Sequence, residues 1–444
     1  MTHPLTFARG GISIPTRDAA SRSAPIANAP LPSVAVVPMS RCHGSAAVCL
    51  VAPGDQVAEG ELIGRPSGAC SAPVHAPIPG MVAKVTETIL PDGTHGTAAV
   101  IELGGSFAQS GRPRPSRAWV SLRPPEILDA IAGAGVDLDA ESPPLAERLR
   151  TARSASATVL VANAVECEPW LAAESRLLAD RPTEVAEGVR IVRAALGCPR
   201  MVLAVTGDAL PAADRVAAAV REAGGSLEIV AVDARFPQEE GSRLAAALLG
   251  REPPRGGDAL DLGATVVRAS SLVAARDAVV LGKPCFERVV TVAGPALRSP
   301  GNLKVRIGTR AGELVDEAGG LARDPAAVVF GSAMLGHAFD GGAAWRDVPV
   351  TRDLTAVLLL TRRELARGRV RPCLRCGRCL DVCPWGLHPV RLYELASSAA
   401  IDQATREGLG DCTGCGCCSY ACPSRLPLSA GLRAAQAAST GSAA

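Results

Sequence analysis

The 444-residue chain is 48% hydrophobic and carries a formal charge of only +2, so it can bury several cores but exerts no global attraction on nucleic acid. Aromatic residues, at 3%, are too scarce for base-stacking platforms, which also argues against a nucleic-acid partner. The longest apolar runs, 244–249 and 356–360, fall far short of the ~20 residues of a membrane helix, so any membrane contact has to come through another subunit.

Residues 1–30 are rich in Pro, Ala and Ser and predict an arm lying over another domain; MTHPLTFARG lacks an apolar core, so no signal peptide is expected. From 31 to 104 short β runs alternate with glycine turns, with strands expected at 34–38, 47–51, 61–64, 81–86 and 98–102 and with Val57, Leu62 and Ile63 in the core. The stretches VAPGDQVAEGELIG and HAPIPGMVAKV resemble the barrel-sandwich hybrid domain of biotinyl and lipoyl carriers. No lysine stands at the hairpin tip between them, so a structural domain is expected rather than a carrier, and His75 is read as a structural histidine rather than a metal ligand.

A Gly, Pro, Ser and Arg linker spans 104–117. The domain 118–286 then alternates helices (124–134, 171–196 divided at Pro182, 208–223) with strands (157–162, 201–205, 227–232), which predicts a Rossmann-like, doubly wound α/β fold with a mostly parallel sheet. Ligands in such sheets sit at the carboxyl ends of the strands. Residues 287–347 return to β character, with strands at 289–292 and 303–307 and a helix near Glu313. They resemble the SLBB β-grasp module, for which a scaffold role is expected. Helices at 389–397 and 429–437 belong to the last unit, 361–437.

That unit holds eight of the fifteen cysteines in two copies of C-x2-C-x2-C-x3-C-P: Cys373, Cys376, Cys379 and Cys383 before Pro384, and Cys412, Cys415, Cys418 and Cys422 before Pro423. This is the bacterial ferredoxin run, in which three thiolates of one loop hold one 4Fe-4S cluster and the fourth reaches the other. Cluster one is therefore expected on Cys373, Cys376, Cys379 and Cys422, and cluster two on Cys412, Cys415, Cys418 and Cys383. Structural zinc or a disulfide framework are the competing readings, but zinc sites space their cysteine pairs further apart and disulfides belong to oxidising compartments. Cys417 lies outside the ligand register and is expected to be a small buried residue beside the cluster.

The order barrel-sandwich domain, α/β domain, SLBB module and two-cluster ferredoxin resembles the RnfC family, the C subunit of the Rnf ion-translocating electron-transport complex. The resemblance covers nearly the whole chain and rests on GGISIP (10–15), SAPVHAPIPGMV (71–82), NAVECEPW (163–170), GREPPRGG (250–257), GKPCFERVVTVAGPALRSPGNLKVRIGT (282–309), CLRCGRCLDVCPWGL (373–387) and DCTGCGCCSYACPSRLPL (411–428). It implies a peripheral subunit on the cytoplasmic side of the bacterial inner membrane, bound to the other subunits of the complex and exchanging electrons between NADH and ferredoxin while ions move.

The chain departs from the family where flavin would bind. The family, like the flavoprotein subunit of complex I, carries a run resembling G-x-G-G-A-x-F-P-T that lets backbone N–H groups approach the FMN phosphate. Here Asp137, Asp139 and Glu141 stand in that segment, Glu239-Glu240-Gly241 replaces the family's G-G-E, and Arg268 stands at a family asparagine. Only Asn163, Glu166 and Glu168 match the flavin-side pattern. FMN and NADH are therefore not expected. The reading is an electron-transfer subunit working through two 4Fe-4S clusters; the alternatives are a complete NADH dehydrogenase module with flavin and a scaffold whose clusters only hold it folded. Seven arginines between 361 and 378 (362, 363, 367, 369, 371, 375 and 378) face one acid, Glu364, and border Cys373; they are expected to steer an acidic, ferredoxin-like redox partner.

Overall fold

The computed structural model describes residues 4–16, 19–40, 45–105, 115–139, 143–365 and 368–441. Most of the expected linker, together with Glu141 and Arg367, lies outside them.

The barrel-sandwich domain packs two antiparallel sheets around Val37, Ile63, Ile78, Val82 and Ile101. One sheet runs Val34–Pro38, His95–Leu103, Gly80–Ile89, Gln56–Val57, and the other Val48–Cys49, Leu62–Arg65, Val74–His75. Val57 and Ile63 are buried as expected, but Leu62 is 43% exposed. Leu62 and Ile63 are consecutive in one strand and so point to opposite faces, which puts Leu62 outward once Ile63 faces the core. His75 is buried and held neutral, its pKa lowered to about 4 by burial and then by Arg352.

The α/β domain is a parallel sheet in the order Glu228–Val232, Arg200–Thr206, Val159–Asn163, Ala264–Arg268. Val159–Asn163, Arg200–Thr206 and Ala264–Arg268 are almost wholly buried on both faces, as parallel strands between helices must be, and the edge strand Glu228–Val232 is half-buried. The chain starts at the 159–163 strand, builds outward on one side, then crosses to its other edge, so the order reverses between Val159–Asn163 and Ala264–Arg268. Asn163 and Arg268 end those strands as register partners. The segment after the expected acidic loop forms the helix Leu145–Ser154, an element not expected from the sequence.

The SLBB region is built on a six-stranded sheet that reaches beyond 347: it recruits Ala356–Leu360 between Glu287–Ala293 and Ala327–Phe330, and Ile26–Asn28 from the arm at its edge. The arm also bridges Leu5 to Val232 and pairs Ile12–Ser13 with Arg235–Phe236. The C-terminal unit is helical among the described residues, its core formed by Leu392, Leu395, Leu409 and Leu432.

Candidate functional site

The two cysteine runs fold as repeats 39 residues apart (412 − 373), and the backbone repeats with them. Left-handed residues recur at Arg375 and Gly414, at Gly377 and Gly416, and at Gly386 and Arg425. The two runs thus turn at the same places, and Arg375 and Arg425 adopt a conformation that costs an L-residue about 1–2 kcal/mol. Short helices Arg378–Asp381 and Cys417–Ala421 follow, then Pro389–Ser397 and Leu428–Gly441.

The folded loops bring the thiols into two sets. Cys379 lies close enough to Cys422 and Cys373 for their charges to interact. Cys383 stands likewise beside Cys415, Cys412 and Cys418 rather than with its own run. The fourth cysteine of each run thus stands beside thiols of the other run. Every described cysteine is a free thiol. No group of three or more His, Cys, Asp or Glu among the described residues is set to close on a single metal ion. Thiolates that each take a different iron of a cubane stand further apart than ligands of one ion. Cys417 is fully buried, with its sulfur 3.9 Å from the Phe236 carbonyl.

The sets differ in surroundings. Cys373 and Cys376 are exposed, and near them lie the exposed side chains Val370, Leu374, Leu380 and Tyr420. Cys383 and Cys418 are buried, and the arm closes over this set. Gly10 and Gly11, both at positive φ, thread past it; Gly11 donates to the Val382 carbonyl at 2.9 Å.

Beside the second set lies a cleft of about 840 Å³ at the carboxyl ends of the parallel strands, where the strand order reverses. Asn163, Glu166, Glu168, Arg268, Thr413 and Cys415 all line it. Its carboxylates are engaged by the chain itself. Glu166 accepts from Glu174 N at 3.0 Å and from Ser175 N at 3.1 Å, capping the helix Ala173–Asp180. Glu174 accepts from Ser270 N at 2.8 Å, capping Ala269–Leu281, and its pKa is raised by burial. Glu240 accepts from Ser242 N and Arg243 N, capping Gly241–Leu249. Glu168 accepts from Met334 N at 2.7 Å, and Asn163 donates to the Glu239 carbonyl at 2.9 Å.

The expected acidic bloc is corrected by this geometry. Asp137 is buried at 2% exposure, and Asp139 sits between Arg148 and Arg268, the latter at 3.2 Å. Burial works against the Asp139 charge, yet Arg148 and Arg268 offset it and hold the carboxyl below its usual range. Two departures from the family pattern, Asp139 and Arg268, thus pair with one another, and their charges do not add as a repulsive wall.

Comparison with known proteins follows the same domain order. Residues 6–106 match the RnfC barrel sandwich hybrid domain, 139–277 the Nuo51 FMN-binding domain, 289–336 the SLBB domain and 372–426 a 4Fe-4S dicluster domain. The chain is 32% identical over 411 residues to the C subunit of the ion-translocating oxidoreductase complex of Rhodobacter capsulatus, covering 92% of this chain and 78% of that protein. The chain belongs to the family of C subunits of ion-translocating oxidoreductase complexes. It is also 30% identical over 400 residues to the C subunit of the proton-translocating ferredoxin:NAD(+) oxidoreductase complex of Clostridium ljungdahlii, covering 90% of this chain and 86% of that one. A chain of the NAD+-reducing [NiFe]-hydrogenase in the H2-reduced state shares the fold, with a TM-score of 0.50 and 19% identity over 70% of this chain and 56% of that chain.

Membership in this family makes the C-terminal unit an iron–sulfur domain, and the FMN-binding-domain match gives no support to the expectation that flavin is excluded. The cleft is large enough for a flavin. A flavin phosphate relies on N–H donors at helix N-termini or glycine turns, and the N-terminus of Leu145–Ser154, preceded by Pro143 on the cleft wall, carries no side-chain cap among the described residues. Three other helix N-termini at the cleft already hold Glu166, Glu174 and Glu240. Gly135, near the expected cradle, is at positive φ but packs against the Pro73 carbonyl, where an added Cβ would stand 2.4 Å away.

Proposed function

We propose that the chain is a peripheral electron-transfer subunit of a membrane-bound, ion-translocating complex, on the cytoplasmic side of the bacterial inner membrane. The observation that carries this reading is the 39-residue repeat (412 − 373) in which Cys422 stands near Cys379 and Cys383 near Cys412, Cys415 and Cys418. Cys373, Cys376, Cys379 and Cys422 would hold cluster one, and Cys412, Cys415, Cys418 and Cys383 cluster two. A 4Fe-4S group bound there supplies one-electron transfer without bond making. The protein's own part is to enclose the second set against the α/β cleft and leave the first set open. No helix among the described residues is long and apolar enough to cross a membrane, so attachment is through partner subunits.

The open set faces the partner. Arg369, Arg371, Arg375 and Arg378 are exposed around Cys373 and Cys376, with Val370 and Leu374 more than 60% exposed among them. An apolar contact ringed by cations fits an acidic, ferredoxin-like electron carrier.

In this reading the chain holds no flavin of its own; the glutamates that occupy three of the helix N-termini at the cleft support it. A second reading, a complete module with FMN and NADH, is favoured by the FMN-binding-domain match over 139–277. One assay separates them: iron-loaded protein is mixed with excess FMN, desalted, acid-treated and read for flavin fluorescence, then tested for NADH-dependent ferricyanide reduction. Flavin-free protein with dithionite-reducible clusters is expected; stoichiometric flavin with NADH turnover establishes the second reading.

A further inference from the structure

Arg243 is among the largest fully buried side chains of the protein, 1% exposed, on the helix Gly241–Leu249 of the α/β domain. Burying a guanidinium costs several kcal/mol unless partners compensate it, so its position calls for a reason. Its Nη1 reaches Glu252 Oε2 at 2.5 Å and the Pro384 carbonyl at 3.1 Å, and its Cζ lies 3.9 Å from the centre of the Trp385 ring. Its Nε has no hydrogen-bond partner among the described residues. Pro384 and Trp385 directly follow Cys383, the cysteine that stands with Cys412, Cys415 and Cys418. A buried cation is thus fixed on the backbone beside the enclosed thiol set. Its carboxylate partner is 40% exposed and screened by water, so the compensation is incomplete.

We propose that Arg243 is the positioning residue that sets the reduction potential of cluster two, holding it above the value its burial alone would give. This rests on the two-cluster reading. A cubane with four thiolates is anionic and gains a further negative charge on reduction, which burial opposes and a nearby desolvated cation favours. The contact to the Pro384 carbonyl and the stacking on Trp385 fix that cation against the backbone of the Cys383 ligand. Cluster one, on the open loop, receives only solvated arginines, whose effect water screens.

The test is a redox titration followed by EPR on the full chain, comparing the parent with R243M, R243K and E252Q, with iron counted in each. R243M keeps length and packing but loses the charge. At the parent midpoint of cluster two its reduced-to-oxidised ratio is expected to fall about tenfold, equivalent to ~59 mV for a one-electron couple. R243K is expected to retain most of the parent value. E252Q, which uncovers the cation, is expected to shift cluster two in the opposite direction, and cluster one is expected to stay in place in all three. If R243M loses cluster two, E252Q decides, since it alters only a half-exposed carboxylate. An unmoved cluster-two midpoint in E252Q, or equal shifts of both clusters, overturns the proposal and leaves Arg243 as a mere rivet between domains. A parent chain without two clusters overturns the underlying reading instead, and the iron count identifies that case.

Discussion

Gly10→Ala probes the arm's grip on the enclosed cysteine set. Gly10 has φ +69, and a Cβ built there lies 2.4 Å from both the carbonyl carbon and oxygen of Cys383 and 2.7 Å from Pro384 N. Those atoms are backbone, so neither can rotate aside, and reaching an ordinary contact of 3.4 Å requires a shift of about 1 Å (3.4 − 2.4). The left-handed backbone alone costs alanine about 1–2 kcal/mol, and overpacking of this kind adds about 1–3 kcal/mol. A total near 3 kcal/mol exceeds what the Gly11 to Val382 hydrogen bond returns, about 1 kcal/mol, so the arm is expected to lift or Cys383 to move. Either outcome disturbs cluster two and spares cluster one. Gly54→Ala is the control: Gly54 has φ +96 but nothing within 4 Å of its Cβ site, and so carries the backbone cost without the collision. EPR of the dithionite-reduced variants with iron counts reads the difference. Gly10→Ala with both signals and full iron, indistinguishable from Gly54→Ala, would refute the reasoning.

Three further outcomes are expected. Cys383→Ala should perturb the cluster on Cys412, Cys415 and Cys418 and leave that on Cys373, Cys376 and Cys379 spectroscopically intact; the reverse pattern would mean that each run serves its own cluster. Electron transfer to an acidic ferredoxin should slow as salt rises, and Leu374→Glu, placed in the 68% exposed apolar contact, should slow it further; rates independent of ionic strength would leave the arginine run a solvated face. Glu287 is largely but not fully buried, and although burial opposes its charge, Lys283, Lys304 and Arg306 lower its pKa to about 2 from an ordinary 4.5. Its contribution is full above pH ~4.5 and lost as pH falls toward ~2, a loss of about 3 kcal/mol before the burial of Lys304 takes some back. Thermal melts of Glu287→Gln should therefore lose that acid dependence.

Legibility in the sequence follows the range of each interaction. The cysteine repeat is readable because ligand spacing is local, and so are the glycine turns within it. The alternation of apolar strands and helices gives the doubly wound domain, since both periods are written within single elements. Partners distant in the chain are not readable. Arg268 reads as a lost contact until the fold brings it to Asp139, and Glu166 reads as a flavin-side residue until the fold sets it as the cap of Ala173–Asp180. The apolar run 356–360 is a central strand whose neighbours lie at 287–293 and 327–330, whereas the outward Leu62 follows from the alternation with the buried Ile63 that the strand itself imposes.

The central claim is that eight cysteines hold two redox-active clusters with exchanged fourth ligands. The most direct measurement is iron, sulfide and zinc analysis of anaerobically purified full-length protein, with absorption and EPR spectra recorded before dithionite, after it, and after reoxidation. About eight irons per chain are expected, four for each cubane, with two clusters that bleach and recover. Stoichiometric zinc, or iron that does not cycle, would contradict it.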